Sequence, residues 1–422
     1  MRICFLSRRY FPAISGMSVY AQNYLRELVR EGHEVVMLSQ YRNDEAGTKI
    51  YGGGPPPEVP GVQVIGLESV GEQMVNEGKP ADFELDLRTM VDTALELHAE
   101  KSFDIVHAQY GYPPGLAALE ISRQTGIPNV VSIQGGDGHW VGLCCETHRR
   151  AIESVLFHAN ETIIGSVSFA EEVREHHGVP PERFTIIPGA INAERFAPRP
   201  DRPLGELSEI PHLLYHGRVD RRKGVLELIE AVELLVGKGS ELLLTISGIG
   251  PDSIPAQELV AEKGLKGSIQ FSGYVDYHEV PAVYRKADLF VSPTWSEGFS
   301  NTILEAMASG LPIVASRSIG VVDCLVDEDT GLFHEVHDVP ELAAQIERIL
   351  TDAALRERLA TNALAEIELK YKWPVVAGQI IKRLEATLAK APDNSWTELR
   401  DPATTVEIAD TNCRFRQSPH LL

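Results

Sequence analysis

Short apolar runs that stop at glycine, serine or proline recur along this chain, with helical patterns between them, and the whole succession occurs twice. Before position 197 the candidate strands are Ile3–Ser7, Glu34–Ser39, Val62–Leu67, Ile105–Ala108, Val130–Gln134, Thr162–Gly165 and Thr185–Ile187. After position 203 they are Leu213–His216, Leu242–Ser247, Ile269–Ser272, Leu289–Ser292 and Ile313–Ala315. Several are apolar without alternation, the pattern of a parallel strand covered on both faces. Helical stretches such as Val225–Val236 and Val339–Leu350 separate them, so each half reads as an α/β unit with right-handed crossovers.

A chain of 422 residues accommodates two to three domains. The break between halves is expected at Ala197-Pro198-Arg199-Pro200-Asp201-Arg202-Pro203, which has the composition of a linker. Domains are predicted over 1–197 and 204–372, with a second boundary near Tyr371-Lys372-Trp373-Pro374. Val376, Ile380, Leu384 and Leu388 form an apolar stripe suited to docking a helix over 373–390. Residues 391–422 are polar and mixed, with weak alternation at Thr404, Val406 and Ile408, and read as a flexible or loosely docked tail.

Charge narrows the class of partner. The formal net charge of −21 is spread over both halves and argues against nucleic-acid binding, which needs a basic face. It also argues against a wholesale electrostatic pull to an anionic membrane. No apolar run approaches the ~20 residues that span a bilayer. The amino terminus, Met1-Arg2-Ile3-Cys4-Phe5-Leu6-Ser7-Arg8-Arg9, reads as a first strand rather than a signal peptide. Five scattered cysteines favour reduced thiols and a cytoplasmic setting.

The chemistry concentrates at Glu297-Gly298-Phe299-Ser300-Asn301-Thr302-Ile303-Leu304-Glu305. A strand over Leu289–Ser292 precedes it, and a helix that Gly310 and Pro312 stop follows it. Glu297 therefore falls on a strand-to-helix loop and Glu305 in the first helical turn. A loop carboxylate accepts bonds from sugar hydroxyls, and a helical one accepts both hydroxyls of a ribose diol. Free N–H groups at the helix start lie between them, where a diphosphate would bind.

This string, continued by Ala306-Met307-Ala308-Ser309-Gly310-Leu311-Pro312, resembles the E-x7-E signature of the family 4 (group 1) retaining glycosyltransferases. Tyr215-His216-Gly217-Arg218-Val219-Asp220-Arg221-Arg222-Lys223-Gly224 resembles the same family's G-R-x4-K-G loop. The resemblance implies the GT-B fold: two Rossmann-like, doubly wound parallel-sheet domains facing across a cleft, with the last helix crossing back onto the first domain. It implies transfer of a hexose from a nucleoside-diphosphate donor, such as a UDP-sugar, to a glycan or lipid-linked acceptor in cell-surface polysaccharide or glycoconjugate synthesis. Peripheral association with the inner face of the plasma membrane would come through the acceptor. Arg218 and Lys223 would neutralise the departing diphosphate, Glu297 would orient the donor sugar, and Glu305 would bind ribose. N–H groups near Phe299, Ser300, Asn301 and Thr302 would add phosphate contacts. Two preorganised cations and a helix start supply the stabilisation that a metal would give, so neither metal nor other cofactor is expected.

Other segments follow from the same resemblance. Gly16 stands where the family has two glycines near the diphosphate, and here it is followed by Met17. Gln134 occupies a strand end where the family carries a sugar-contacting histidine; glutamine can position a sugar but cannot carry a proton. Asp137 either contacts sugar or acceptor or caps the next helix. His107, expected at a strand's carboxyl end, either meets a ligand or bonds within its loop. Gly248-Ile249-Gly250-Pro251 lacks the third glycine of a dinucleotide fingerprint and reads as a loop against the nucleotide, with Gly273-Tyr274-Val275 bordering the base. The glycine- and proline-rich stretch 41–60, with 68–83, is where acceptor specificity would lie. His139, Cys144, Cys145 and His148 have no common zinc spacing, which leaves buried cysteines and exposed histidines. His176-His177 reads as a solvated helix end. The rival functions are a nucleotide-sugar epimerase or a phosphorylase on the same architecture, and a non-catalytic nucleotide-sugar-binding subunit.

Overall fold

The computed structural model describes residues 1–8, 16–41, 58–69, 83–143 and 146–399. They divide into two compact units, Met1–Pro188 together with the chain from Val376 onward, and Gly189–Val375. The glycine- and proline-rich loop calls at 42–57 and 70–82, with Cys144, Cys145 and the alternation at 404–408, lie outside the described residues.

The first unit is built on a seven-stranded sheet of β1 (Arg2–Ser7), β2 (Glu34–Tyr41), β3 (Val62–Glu68), β4 (Ile105–Gln109), β5 (Asn129–Ile133), β6 (Glu161–Ile164) and β7 (Phe184–Ile186). Its order is β3-β2-β1-β4-β5-β6-β7, with every pairing parallel. Strand β1 is buried along its whole length, as an apolar run covered by helices on both faces must be. The order reverses between β1 and β4, and at such a switch point the loops leaving the two strands diverge and open a crevice.

The second unit repeats the plan with six strands, β8 (His212–His216), β9 (Leu243–Ser247), β10 (Ile269–Gly273), β11 (Leu289–Ser292), β12 (Ile313–Ser316) and β13 (Leu332–His334). Their order is β10-β9-β8-β11-β12-β13, again parallel throughout. The switch point falls between β8 and β11. All twelve anticipated strands are present; β13, three residues on the sheet edge, carries too short an apolar run to be read from sequence. One apolar cluster packs on each face of this sheet, around Leu228, Val232 and Ile346 on one side and Tyr284, Leu304 and Met307 on the other.

One expectation about connections needs correcting, and the start of the tail takes one of the two states expected of it. The proline-rich segment is a packed strap of the second unit, not a free linker. Arg199 and Arg202 both donate to Oδ1 of the buried Asp288, at 2.9 and 2.8 Å, and Ser208 and His212 donate backbone N–H groups to its Oδ2. The charged guanidinium heads and not the proline spacing decide its state, because a buried carboxylate needs partners. The start of the tail is also docked. Trp396 is fully buried, and Asp393 Oδ2 lies 2.8 Å from His158 Nδ1 on the first unit. In the preceding helix, Trp373–Thr387, Val376, Ile380 and Leu384 are buried as the stripe requires. Leu388 lies beyond the helix end and is 40% exposed.

Candidate functional site

In the second unit the two charged motifs meet. Strand β8 ends at His216, and the loop 217–220 leads into a short 3-10 turn, Arg221–Lys223, and then a helix, Val225–Gly237. Lys223 Nζ lies 2.6 Å from Glu297 Oε1, on the loop that leaves β11. The three basic residues of the turn go separate ways. Arg221 pairs with Asp252 at 2.8 Å and Arg222 with Asp220 at 3.0 Å, so both are held by local carboxylates. The Arg222 guanidinium beside it holds the Asp220 carboxyl down at about 2. Arg218 has the loosest pairing of the three arginines, 3.5 Å from Asp220, with 55% of its side chain accessible.

The loop from β11 to the helix Asn301–Ala308 is confined by backbone on one side. Gly320 has φ +72°, and a Cβ there would sit 2.0 Å from the Glu297 carbonyl oxygen. Gly248 has φ +132°, and its Cβ would meet the Gly217 carbonyl oxygen at 1.9 Å, so the ends of β8 and β9 touch through backbone. Both positions exclude any side chain. Ser300 is the N-cap residue, yet its hydroxyl bonds Thr302 Oγ1 at 3.2 Å instead of capping a backbone N–H. Phe299 stacks at 6.0 Å from Tyr371, and the buried Asn301 Oδ1 has no hydrogen-bond partner among the described residues. Tyr274, after β10, is 51% exposed, while Val275 packs on the apolar cluster below.

Glu305 lies in the second turn of the helix Asn301–Ala308, not the first, because the helix begins only at Asn301, and it points into a more enclosed place. Tyr284 donates its hydroxyl to Glu305 Oε2 at 2.7 Å. Burial pushes the Glu305 carboxyl up to about 7, against the Tyr284 bond and the Arg195 charge, which lower it. His216 stands edge-on to the Tyr284 ring at 5.5 Å and bonds Ser247 Oγ through Nδ1 at 3.0 Å; burial holds its imidazole down at about 4. Arg195, Tyr284 and His216 were not anticipated as site residues. His216 lay within the second motif, but Arg195 and Tyr284 lie outside both motifs and reach the site only through the packing of their segments, which sequence spacing does not reveal.

In the first unit, the ends of β1, β4 and β5 are joined through one side chain. Gln109, the last residue of β4, accepts from Ser7 Oγ at 3.1 Å and donates through Nε2 to the Met17 carbonyl at 2.8 Å and to Gln134 Oε1 at 2.9 Å. Gly16 is exposed at the start of the helix Gly16–Arg30. Gln134 therefore has its carbonyl engaged, and its amide nitrogen has no hydrogen bond among the described residues.

The geometry corrects three further readings. Asp137 is fully buried. Its carboxylate accepts from the N–H groups of Gly111 at 2.7 Å, Gly135 at 2.8 Å and Gln134 at 3.1 Å, so it ties together the loops after β4 and β5 rather than capping a helix. Burial raises it to about 6 even so, the backbone bonds pulling the other way. His107 sits in the middle of β4, not at its end. Both ring nitrogens are engaged, Nδ1 with Tyr24 Oη at 3.1 Å and Nε2 with Ser132 Oγ at 2.9 Å, and burial lowers it to about 3. The histidines read as exposed are not. His139 pairs with Glu172 at 2.7 Å, His148 is buried 5.4 Å from the Tyr112 ring, and His177 is buried against Glu153. Among the described residues no group of His, Cys, Asp and Glu is arranged to hold a metal, and no helix is long and apolar enough to cross a membrane.

The glycosyl transferases group 1 model matches residues 201–365, and the glycosyl transferase 4-like domain model matches residues 15–190. The chain belongs to the group 1 glycosyltransferases. It is 28% identical over 390 residues to a glycogen synthase of Mycobacterium tuberculosis, covering 89% of this chain and 92% of the relative. It is 25% identical over 393 residues to a D-inositol 3-phosphate glycosyltransferase of an Arthrobacter species, covering 84% and 88%. Among solved structures, sucrose-phosphate synthase of Thermosynechococcus elongatus superposes with a TM-score of 0.75 at 23% identity, over 92% of this chain and 99% of that one. The HepE protein of Anabaena, solved in complex with UDP and glucose, superposes with a TM-score of 0.71 at 16% identity, over 92% and 100%. These neighbours establish the GT-B fold.

Proposed function

We propose that this chain is a retaining glycosyltransferase that moves a hexose from a nucleoside-diphosphate donor to a glycan or lipid-linked acceptor. The observation that carries the reading is the 2.6 Å approach of Lys223 to Glu297, which brings the cation of one motif to the carboxylate of the other at the ends of β8 and β11. That is the switch point of the second sheet, where open α/β sheets take their ligands. Arg218 and Lys223 meet the charge that grows on the leaving diphosphate, with the N–H groups of Phe299 to Thr302 beside them. Glu297 orients the donor sugar, Glu305 accepts the ribose diol, and Gly248, Tyr274 and Val275 border the nucleotide. HepE was solved with UDP and with glucose, which supports a nucleotide-sugar donor here.

The acceptor hydroxyl attacks the anomeric carbon on the face from which the diphosphate departs. The C–O bond to the diphosphate breaks, and a phosphate oxygen takes the acceptor's proton. No protein base is needed on the other face, which suits the burial of Asp137 and His107. With a lipid-linked acceptor the enzyme works in the cytoplasm at the inner membrane face, in glycoconjugate or polysaccharide synthesis, and without a divalent metal. The test is to pair UDP-, GDP- and ADP-sugars with glycan and lipid-linked acceptors, with and without a chelator, and to read the anomeric coupling of the product by NMR. An α-linked donor should give an α-linked product. A β product would overturn the mechanism, and donor isomerisation without acceptor would make the chain an epimerase.

A further inference from the structure

We infer that Tyr284 is a positioning residue for nucleotide binding, fixing both the orientation and the charge of Glu305; this rests on the assignment of Glu305 to the ribose. Three observations carry it. Tyr284 is fully buried, and its ring is held on several sides, by Phe196 at 5.6 Å, Phe290 at 5.5 Å and the edge of His216 at 5.5 Å. A ring so packed cannot swing away, so its hydroxyl is a fixed donor. That hydroxyl engages Glu305 Oε2 at 2.7 Å, which orients the carboxylate and leaves Oε1 and a further lone pair for a diol.

The surroundings make the bond matter. A carboxylate accepts two hydroxyls well only when ionised, and burial works against ionisation here. Elements packed near the helix Asn301–Ala308 bring Arg285 and Lys286 (on the helix Val280–Lys286), Arg356, Glu357, Arg358 and Glu366 (on Ala353–Glu366), and Glu368, Lys370 and Tyr371 beyond it. None of these acts on Glu305. Only the Tyr284 hydroxyl and the charge of Arg195 oppose its burial, and His216 is neutral at pH 7. Removing the hydroxyl therefore drives Glu305 toward its protonated form.

The sign follows. Glu305 ionises as pH rises through about 7, so nucleotide affinity should rise over that range. In Tyr284→Phe the rise should move to higher pH, with affinity for a nucleoside diphosphate about tenfold weaker at pH 7 and close to wild type near pH 9. Isothermal titration with UDP, GDP and ADP on the full chain measures this, each affinity taken relative to Glu305→Gln at the same pH to cancel titration of the ligand. A pH-independent loss in Tyr284→Phe, or none, overturns the inference. If Glu305→Gln itself binds every nucleotide as well as wild type, the ribose assignment fails instead.

Discussion

Lys223 and Glu297 neutralise each other at 2.6 Å, with neither side chain fully exposed. A donor entering this place has to share or replace that pair, so the lysine's charge is held ready and the carboxylate is oriented before any ligand arrives. The two residues should consequently behave as one unit. Lys223→Ala and Glu297→Ala should each lower kcat by roughly 2–4 kcal/mol of transition-state stabilisation, and the double variant should cost clearly less than the sum. Additive losses in a double-mutant cycle would mean that the two residues act independently and not as a pair.

Arg218 is held less tightly than Arg221 and Arg222 beside it, and its removal should act on turnover more than on stability. Arg218→Ala should cost roughly 2–4 kcal/mol in kcat while shifting the urea midpoint little. Steady-state kinetics and an unfolding curve on the same preparation separate the two effects.

Asp137 should prove to be a stability residue. Asp137→Ala strands the N–H groups of Gly111, Gln134 and Gly135, and a buried unsatisfied donor costs about 1–3 kcal/mol. Asp137→Asn keeps the shape but aims an amide donor at a backbone donor, and should lie between wild type and Ala. Because burial raises the carboxyl from 3.8 to about 6, folding takes up a proton between those values. That contribution to stability is complete below 3.8 and is lost as pH rises through about 6, with a slope of up to ~1.4 kcal/mol per pH unit. Urea titrations from pH 4 to pH 7 should show a shallower slope in Asp137→Asn than in wild type, the difference belonging to Asp137 because Glu305 titrates in both.

Trp396 predicts the outcome of truncation. Cutting the chain after Lys390 removes a fully buried indole and the Asp393 contact to His158, and should destabilise the first unit by about 3–5 kcal/mol. Ending it at Arg400 leaves both in place and should cost little. Equal midpoints for the two truncations would show that the docking carries no stability.

How much of this was legible in the sequence differs by residue. Short apolar runs marked twelve strands, several of them without alternation, as strands covered on both faces must be. Glu297, Glu305, Arg218 and Lys223 were legible because their spacing on a loop and a helix is local. His107 was misplaced by two residues along β4, enough to move a side chain from the strand end into the core. Tyr284 meets Glu305 because the helices before and after β11 pack together on one face of the sheet, which is a property of packing and not of spacing. Trp396 is one aromatic in a polar stretch, with no periodicity to announce that it is buried.

Gly248 against the Gly217 carbonyl and Gly320 against the Glu297 carbonyl have a consequence for how such an enzyme could change its substrate. The loops at the end of this sheet abut each other by main chain, with no layer of side chains between them that could be thinned or thickened. A different sugar or base cannot be accommodated by widening that frame. New specificity would have to be written in the exposed side chains along its rim, Ile249 and Tyr274 among them, while the frame itself is handed on unaltered.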